Sequence, residues 1–105
     1  MSARIDSLNA GSHHHFQFPG VFLRRLDFTG INLSDANLRN ADAKNAIFAR
    51  VNFSNADLTG TDLRGADLTG AKNLTIEQLQ VAIVDENTRL PDYIDRSRLT
   101  LAPVE

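Results

Sequence analysis

Residues 56–70 read Ala56-Asp57-Leu58-Thr59-Gly60, Thr61-Asp62-Leu63-Arg64-Gly65 and Ala66-Asp67-Leu68-Thr69-Gly70, three copies of one five-residue unit that each close on glycine. Working outward, the same register runs without a slip from residue 16 to residue 70. The central positions of eleven successive units hold Phe18, Leu23, Phe28, Leu33, Leu38, Ala43, Phe48, Phe53, Leu58, Leu63 and Leu68. Ten of these are Leu or Phe, types that supply 19 of the 105 residues, so chance would place only about two there; a repeat of this quality decides the architecture.

The unit has a physical logic. Two residues before each centre stand apolar or small side chains: Phe16, Val21, Leu26, Ile31, Ala36, Ala41, Ala46, Val51, Ala56, Thr61 and Ala66. A separation of two is the strand period, so both residues of each pair can point inward while the one between them faces water. That middle residue is polar in nine of eleven units, the exceptions being Phe22 and Ile47. Each unit ends in a turn former, Gly, Asn or Asp, except at Arg25 and Arg50. A short extended segment followed by a bend, repeated, makes an all-β solenoid whose coils stack ~4.8 Å apart.

The spelling A-(D/N)-L-X-X, as in Ala36-Asn37-Leu38, Ala56-Asp57-Leu58 and Ala66-Asp67-Leu68, resembles the pentapeptide-repeat family over about sixty of the 105 residues. The resemblance implies a right-handed quadrilateral β-helix with four units per coil. Eleven units and a degenerate twelfth, Ala71-Lys72-Asn73-Leu74-Thr75, then make about three coils. The expected organisation is an N-terminal tail or loose cap (1–15), the repeat body (16–75), a helical C-terminal cap (76–94) and a tail (95–105).

Exposed coil edges must be covered, so the flanks are read first as caps. Thr75-Ile76-Glu77-Gln78 has capping-box spacing, and a helix over residues 76–84 would put Ile76, Leu79 and Ile83 on one face, against the last coil. Leu90, Tyr93 and Ile94 follow on an extended return. A helical terminator of this kind also fits the resemblance, and its alternative is a dimerisation helix with Val81 outward. A monomer is expected; a dimer would use this helix or an uncapped end. At the other end the bulky Phe16, Val21, Leu26 and Ile31 are expected to plug the first coil, with Ile5 and Leu8 the anchors of the preceding tail.

Composition narrows the function classes. There is no Cys and the net charge is −2, which excludes thiolate chemistry and argues against a nucleic-acid binder. The longest apolar run, Val81-Ala82-Ile83-Val84, is too short for a membrane span or a signal-peptide core, so the expected location is the cytoplasm. His13, His14 and His15 alternate faces in an extended segment and have no further ligand; they read as a solvated connector or the remnant of a tag, and no metal or other cofactor is expected. The aspartate series Asp57, Asp62, Asp67 follows the repeat and points from different sides of the coil, so no catalytic constellation is expected and the chain reads as a non-enzyme.

Four units per coil place residues twenty apart above one another. Arg24, Lys44 and Arg64 then form a basic column, widened by Arg25, beside the outward Phe22, Asp42 and Asp62. Ile47 lies on the next face. Phe22, Arg24, Arg25, Lys44, Ile47 and Arg64 are therefore the candidate binding residues of a non-catalytic interaction module for an unidentified protein partner, the alternative being a solvated surface in which Asp42 and Asp62 offset the bases. The family's DNA-mimicking, gyrase-binding members suggest another role. Residues 16–75 carry six acids against seven bases, a poor substitute for a duplex with about one negative charge per 1.7 Å. Ala43 is the one undersized centre, so Ala43→Leu is expected to be neutral or stabilising unless Phe48 or Phe53 fills the space.

Overall fold

Parallel bridges join residues twenty apart in a computed structural model that describes residues 16–103. The N-terminal tail, with Ile5, Leu8, His13, His14 and His15, lies outside the described residues, as do Val104 and Glu105. Parallel bridges link Gln17 to Asn37 and Asn37 to Asp57 on a first face, and Phe22 to Asp42 and Asp42 to Asp62 on a second. Asp27, Ile47 and Asp67 are joined in the same way on a third face, and Asn32, Asn52 and Lys72 on a fourth. The chain is a β-helix solenoid in which centres donate their N–H upward, as from Leu23 to the Asp42 carbonyl at 2.7 Å, and the middle residues from Asn37 onward donate downward, as from Asp42 to the Val21 carbonyl at 2.9 Å.

The corners follow from the last residue of each unit. Every one has positive φ, including the non-glycines Arg25, Asp35, Asn40, Asn45, Arg50 and Asn55, at 56° to 62°. The residue after it donates to the carbonyl of the preceding centre, as Ala36 does to Leu33 at 3.1 Å, which is the pattern of a type II turn. The middle residue supports the same corner. The Oδ1 atoms of Asp27, Asn32, Asn37, Asp42, Asn52, Asp57, Asp62 and Asp67 each accept the N–H two residues on, at 2.9 to 3.3 Å. Asp and Asn therefore recur there for a reason more specific than exposure: a short side-chain acceptor satisfies a turn donor.

Inside, the centres from Leu23 to Leu68 are buried, with Phe28 and Phe48 stacked at 5.1 Å between ring centroids. Thr61, at a position usually held by Ala, is fully buried and donates its hydroxyl to the Leu38 carbonyl at 2.6 Å. Of the four bulky residues at the inward position of the first coil, Ile31 is buried, Phe16 and Leu26 are half-buried, and Val21 is 38% exposed. No described coil lies below them.

Beyond the repeats the register drifts. Asn73 occupies the centre position of the twelfth unit but has φ of 58°, and Leu74 is buried in its stead. This one-residue shift carries forward, so Ile83 bridges Asp62 at an offset of 21; a further residue in the Asp85 to Asn87 turn makes Arg89 bridge Asp67 at an offset of 22. Ala82-Ile83-Val84 and Thr88-Arg89-Leu90 thus act as two disguised repeat units above the second and third faces. Only the first face carries a helix, α1 (Ile76–Gln80), whose Leu79 is buried. Thr75 accepts from Gln78 N at 3.1 Å and donates from its own N to Gln78 Oε1 at 2.8 Å, while Gln78 Nε2 reaches the Phe53 and Ala56 carbonyls.

The expected helix over residues 76–84 is therefore too long by four residues. The Val81 carbonyl is drawn into a bond from Gly60 N at 2.7 Å, and strand pairing captures Ile83, whose side chain is 38% exposed instead of covering the last coil. Nor do residues 95–103 trail as a tail. They form a 3₁₀ turn (Arg96–Arg98), bury Leu99 in the core, and pair Ala102 N with the Val84 carbonyl at 2.7 Å.

Candidate functional site

The second face is built from middle residues Phe22, Asp42, Asp62 and Ile83 and from the turn residues that follow the centres, Arg24, Lys44 and Arg64. Because each turn residue sits two places after a middle residue on a fixed corner, acids and bases interleave. Arg24 Nε donates to Asp42 Oδ2 at 2.7 Å; Lys44 Nζ lies 3.7 Å from Asp42 and 3.5 Å from Asp62. Arg64 closes the series with a two-pronged contact to Asp62 at 2.9 and 2.7 Å. The column is a five-membered ladder, Arg24–Asp42–Lys44–Asp62–Arg64, in which each charge has an opposite neighbour. Arg24 is exposed and the other four side chains are half-buried; pairs at a surface contribute only ~0 to 1 kcal/mol each, so the ladder defines a surface more than it holds a fold together.

Electrostatics are most developed at Asp62. Burial opposes its ionisation, but hydrogen bonds from the Arg64 side chain and backbone, with the charges of Arg64 and Lys44, outweigh that cost and hold the carboxyl below its ordinary value. Asp57, on the first face, is lowered by the Thr59 hydroxyl and then the Thr59 N–H, with Arg39 adding to them against a small desolvation cost.

At the lower end of the face Phe22 is 78% exposed, and the Arg24 guanidinium lies 5.8 Å from its ring centroid. Arg24 therefore bridges an aromatic ring and a carboxylate. Arg25 occupies the corner with φ of 62° and donates its N–H to the Lys44 carbonyl; among the described residues its side chain has no ion-pair partner. Phe22, Arg24, Lys44 and Arg64 are thus brought onto one surface with Arg25 at its edge. Ile47 stands apart on the third face, half-buried between Asp27 and Asp67.

Sequence reasoning did not reach two features. Ile83 caps the column with a second apolar side chain, and only the apolar triplet Ala82-Ile83-Val84 hinted at a strand slot. Above Lys44 and Arg64 an open groove of about 650 Å³ is bounded by the turn from Asp85 to Thr88 and by Arg89 and Arg96. Arg89 and Arg96 join this site only because the register drifts, a shift the five-residue period does not announce.

Among the described residues no group of His, Cys, Asp or Glu is placed to hold a metal, and no helix is long and apolar enough to cross a membrane. None of the curated proteins matches the chain. A pentapeptide repeat protein of known structure from Nostoc Pcc 7120 is similar at 21% identity, over 97% of this chain and 99% of that one, with a TM-score of 0.32. The family model described as pentapeptide repeats matches eight copies, over residues 17–42 and 31–70, which together span more than half of the chain. With the unbroken five-residue register and the twenty-residue bridges, that match makes the chain a member of the pentapeptide repeat family.

Proposed function

We propose that this protein is a non-catalytic interaction module, a right-handed quadrilateral β-helix of about three coils under a C-terminal cap, that offers the face carrying Phe22 to a protein partner. Phe22 is the observation that carries the reading. Eight of the eleven middle residues spend a side-chain oxygen on their own turn, whereas Phe22 has none to give and sets a 78% exposed ring in water. A residue that gives up a local hydrogen bond and buries little surface does nothing for folding that Asp would not do better. An aromatic anchor flanked by Arg24 and Arg25 is what interfaces favour.

The ladder assigns the other bases a secondary part. Lys44 and Arg64 are held by Asp42 and Asp62, so they fix register and field rather than lend free charge. Rigidity supports the same reading: the partner meets side chains at ~5 Å steps on a backbone that needs no ordering.

Affinity capture from the native host tests the proposal, with the parent chain and Phe22→Asn each verified as folded by circular dichroism. Loss of a discrete partner on Phe22→Asn is the expected outcome. Capture of the same proteins with unchanged affinity by both chains would remove this face from the function. Reversing the bases to Glu is a poorer test, because new carboxylates would confront Asp42 and Asp62 and disturb the surface itself.

A further inference from the structure

We propose that the groove above Lys44 and Arg64 takes an acidic peptide segment of the protein partner, an inference that rests on the interaction-module reading. Four basic side chains line it: Lys44, Arg64, Arg89 and Arg96. Its volume of about 650 Å³ falls within the ~300 to 1,000 Å³ of ligand sites.

The balance of charge in the groove is what selects the occupant. Asp85 lines the wall, but its Oδ1 accepts from Gly65 N at 3.1 Å and Asn87 N at 3.0 Å, so it is committed to the turn. Arg96 donates to the carbonyls of Asp85, at 3.0 Å, and of Thr88. Those acceptors are neutral, so the guanidinium keeps its full positive charge. Arg89 is exposed and makes no ion pair among the described residues. Against these two cations stand Asp85, whose bonds to neutral backbone donors leave its charge in place, and the exposed Glu86. Lys44 and Arg64 share Asp62, so in all four bases face the three acids Asp62, Asp85 and Glu86 and leave the groove with an excess of positive charge.

The arrangement favours spaced carboxylates over one compact anion. Lys44 and Arg64 meet at Asp62 Oδ2, at 3.5 and 2.7 Å, whereas Arg89 and Arg96 stand above them beyond the repeats, so the bases form two groups. Side chains two residues apart on an extended peptide are ~7 Å apart along the strand, so acidic side chains on one face of it can meet both groups. Asp62, between the two lower bases, would repel a dense charge placed there.

A fluorescein-labelled hepta-glutamate peptide is the probe, titrated by anisotropy into the parent chain, Arg89→Gln and Glu86→Gln. Both substituted residues are exposed, so the fold should be retained. Expected are saturable binding weakened by added salt, a loss of about fivefold on Arg89→Gln, and a gain of about twofold to fivefold on Glu86→Gln. No saturable binding, or affinity indifferent to both changes, would overturn the proposal. So would pyrophosphate binding more tightly than the peptide in an Arg89-dependent way, which would make this a compact-anion site. If the peptide fails while Phe22→Asn still abolishes native capture, the groove is dismissed and the interaction face stands; the reverse pattern dismisses the face.

Discussion

The rings of Phe48 and Phe53 meet at 5.6 Å between centroids across one corner of the second coil, tilted by 55°. Both are fully buried, as is Ala43 in the same layer. The third coil fills its equivalent centres with Leu58, Leu63 and Leu68, and Leu74 takes the place of the fourth. The second uses Leu38, Ala43, Phe48 and Phe53, so two enlarged centres offset one reduced centre. Ala43 is thus the counterpart of its neighbours and not a vacant site. Alone, Ala43→Leu should overpack the layer and cost ~1 to 3 kcal/mol. Ala43→Leu with Phe48→Leu should recover most of that, giving a strong favourable coupling in a double-mutant cycle read by urea melts. Strict additivity would mean that the two side chains do not share space.

Thr88 and Thr61 occupy equivalent inward positions, yet their hydroxyls do unequal work. Thr61 donates to the Leu38 carbonyl, which also accepts from Ala41 N. Thr88 donates to the Leu63 carbonyl at 2.9 Å and accepts from Asp85 N at 3.0 Å, holding the turn that bounds the groove. Replacing either with Val keeps the shape, but only at Thr88 does a backbone donor lose its acceptor. Thr88→Val should cost ~1 to 3 kcal/mol and Thr61→Val less than ~1 kcal/mol. Equal losses in chemical denaturation would refute this distinction.

The repeat body was legible because one period dictated local conformation, burial and stacking together; Leu38, Leu58 and Phe48 are buried where the count of five puts them. The cap was less legible. Isolated apolar residues at helical spacing, Ile76, Leu79 and Ile83, fit a nine-residue helix, but Ile83 gains more from pairing with Asp62 than from prolonging a short, marginal helix. On the candidate face, the four units per coil that the family resemblance implies placed the columns but not their pairing, since the ladder depends on the two-residue offset between a middle side chain and the next turn side chain. The groove was invisible for a different reason: Arg89 and Arg96 approach Lys44 and Arg64 only after one-residue shifts at Asn73 and in the turn after Asp85.

Acid should weaken the fold through two carboxylates, Asp62 of the ladder and Asp57 on the first face. Asp62 and Asp57 are held below the ordinary value of 3.8. A carboxyl depressed in the folded state adds stability above its unfolded value, and that contribution is lost as pH falls below 3.8 and through the folded value. Asp62→Asn keeps the oxygen that accepts Arg64 N while deleting the charge. Its destabilisation should therefore be present at neutral pH and shrink toward zero in acid, as followed by thermal melts across that window. A penalty that does not vary with pH would assign the cost to lost packing or hydrogen bonding instead.

Phe22 and Ile47 are the outward middle residues where an apolar side chain replaces the Asp or Asn of the repeat, and neither can accept from the N–H two residues on, Arg24 for one and Ala49 for the other. Asn at either position should restore the side-chain acceptor its neighbours use, as Asn52 does for Ser54 N at 3.0 Å. The two sites differ in what is given up. Ile47 is half-buried between Asp27 and Asp67, so Ile47→Asn exchanges packed apolar surface for a hydrogen bond and should be close to neutral, within ~1 kcal/mol. Phe22 is 78% exposed and packs against little besides Arg24. Phe22→Asn should therefore raise stability by ~0.5 to 1 kcal/mol, the behaviour of a site where activity and stability are traded. A Phe22→Asn chain that melts below the parent would show that the ring stabilises the first coil, and would remove the physical ground for reading it as an anchor.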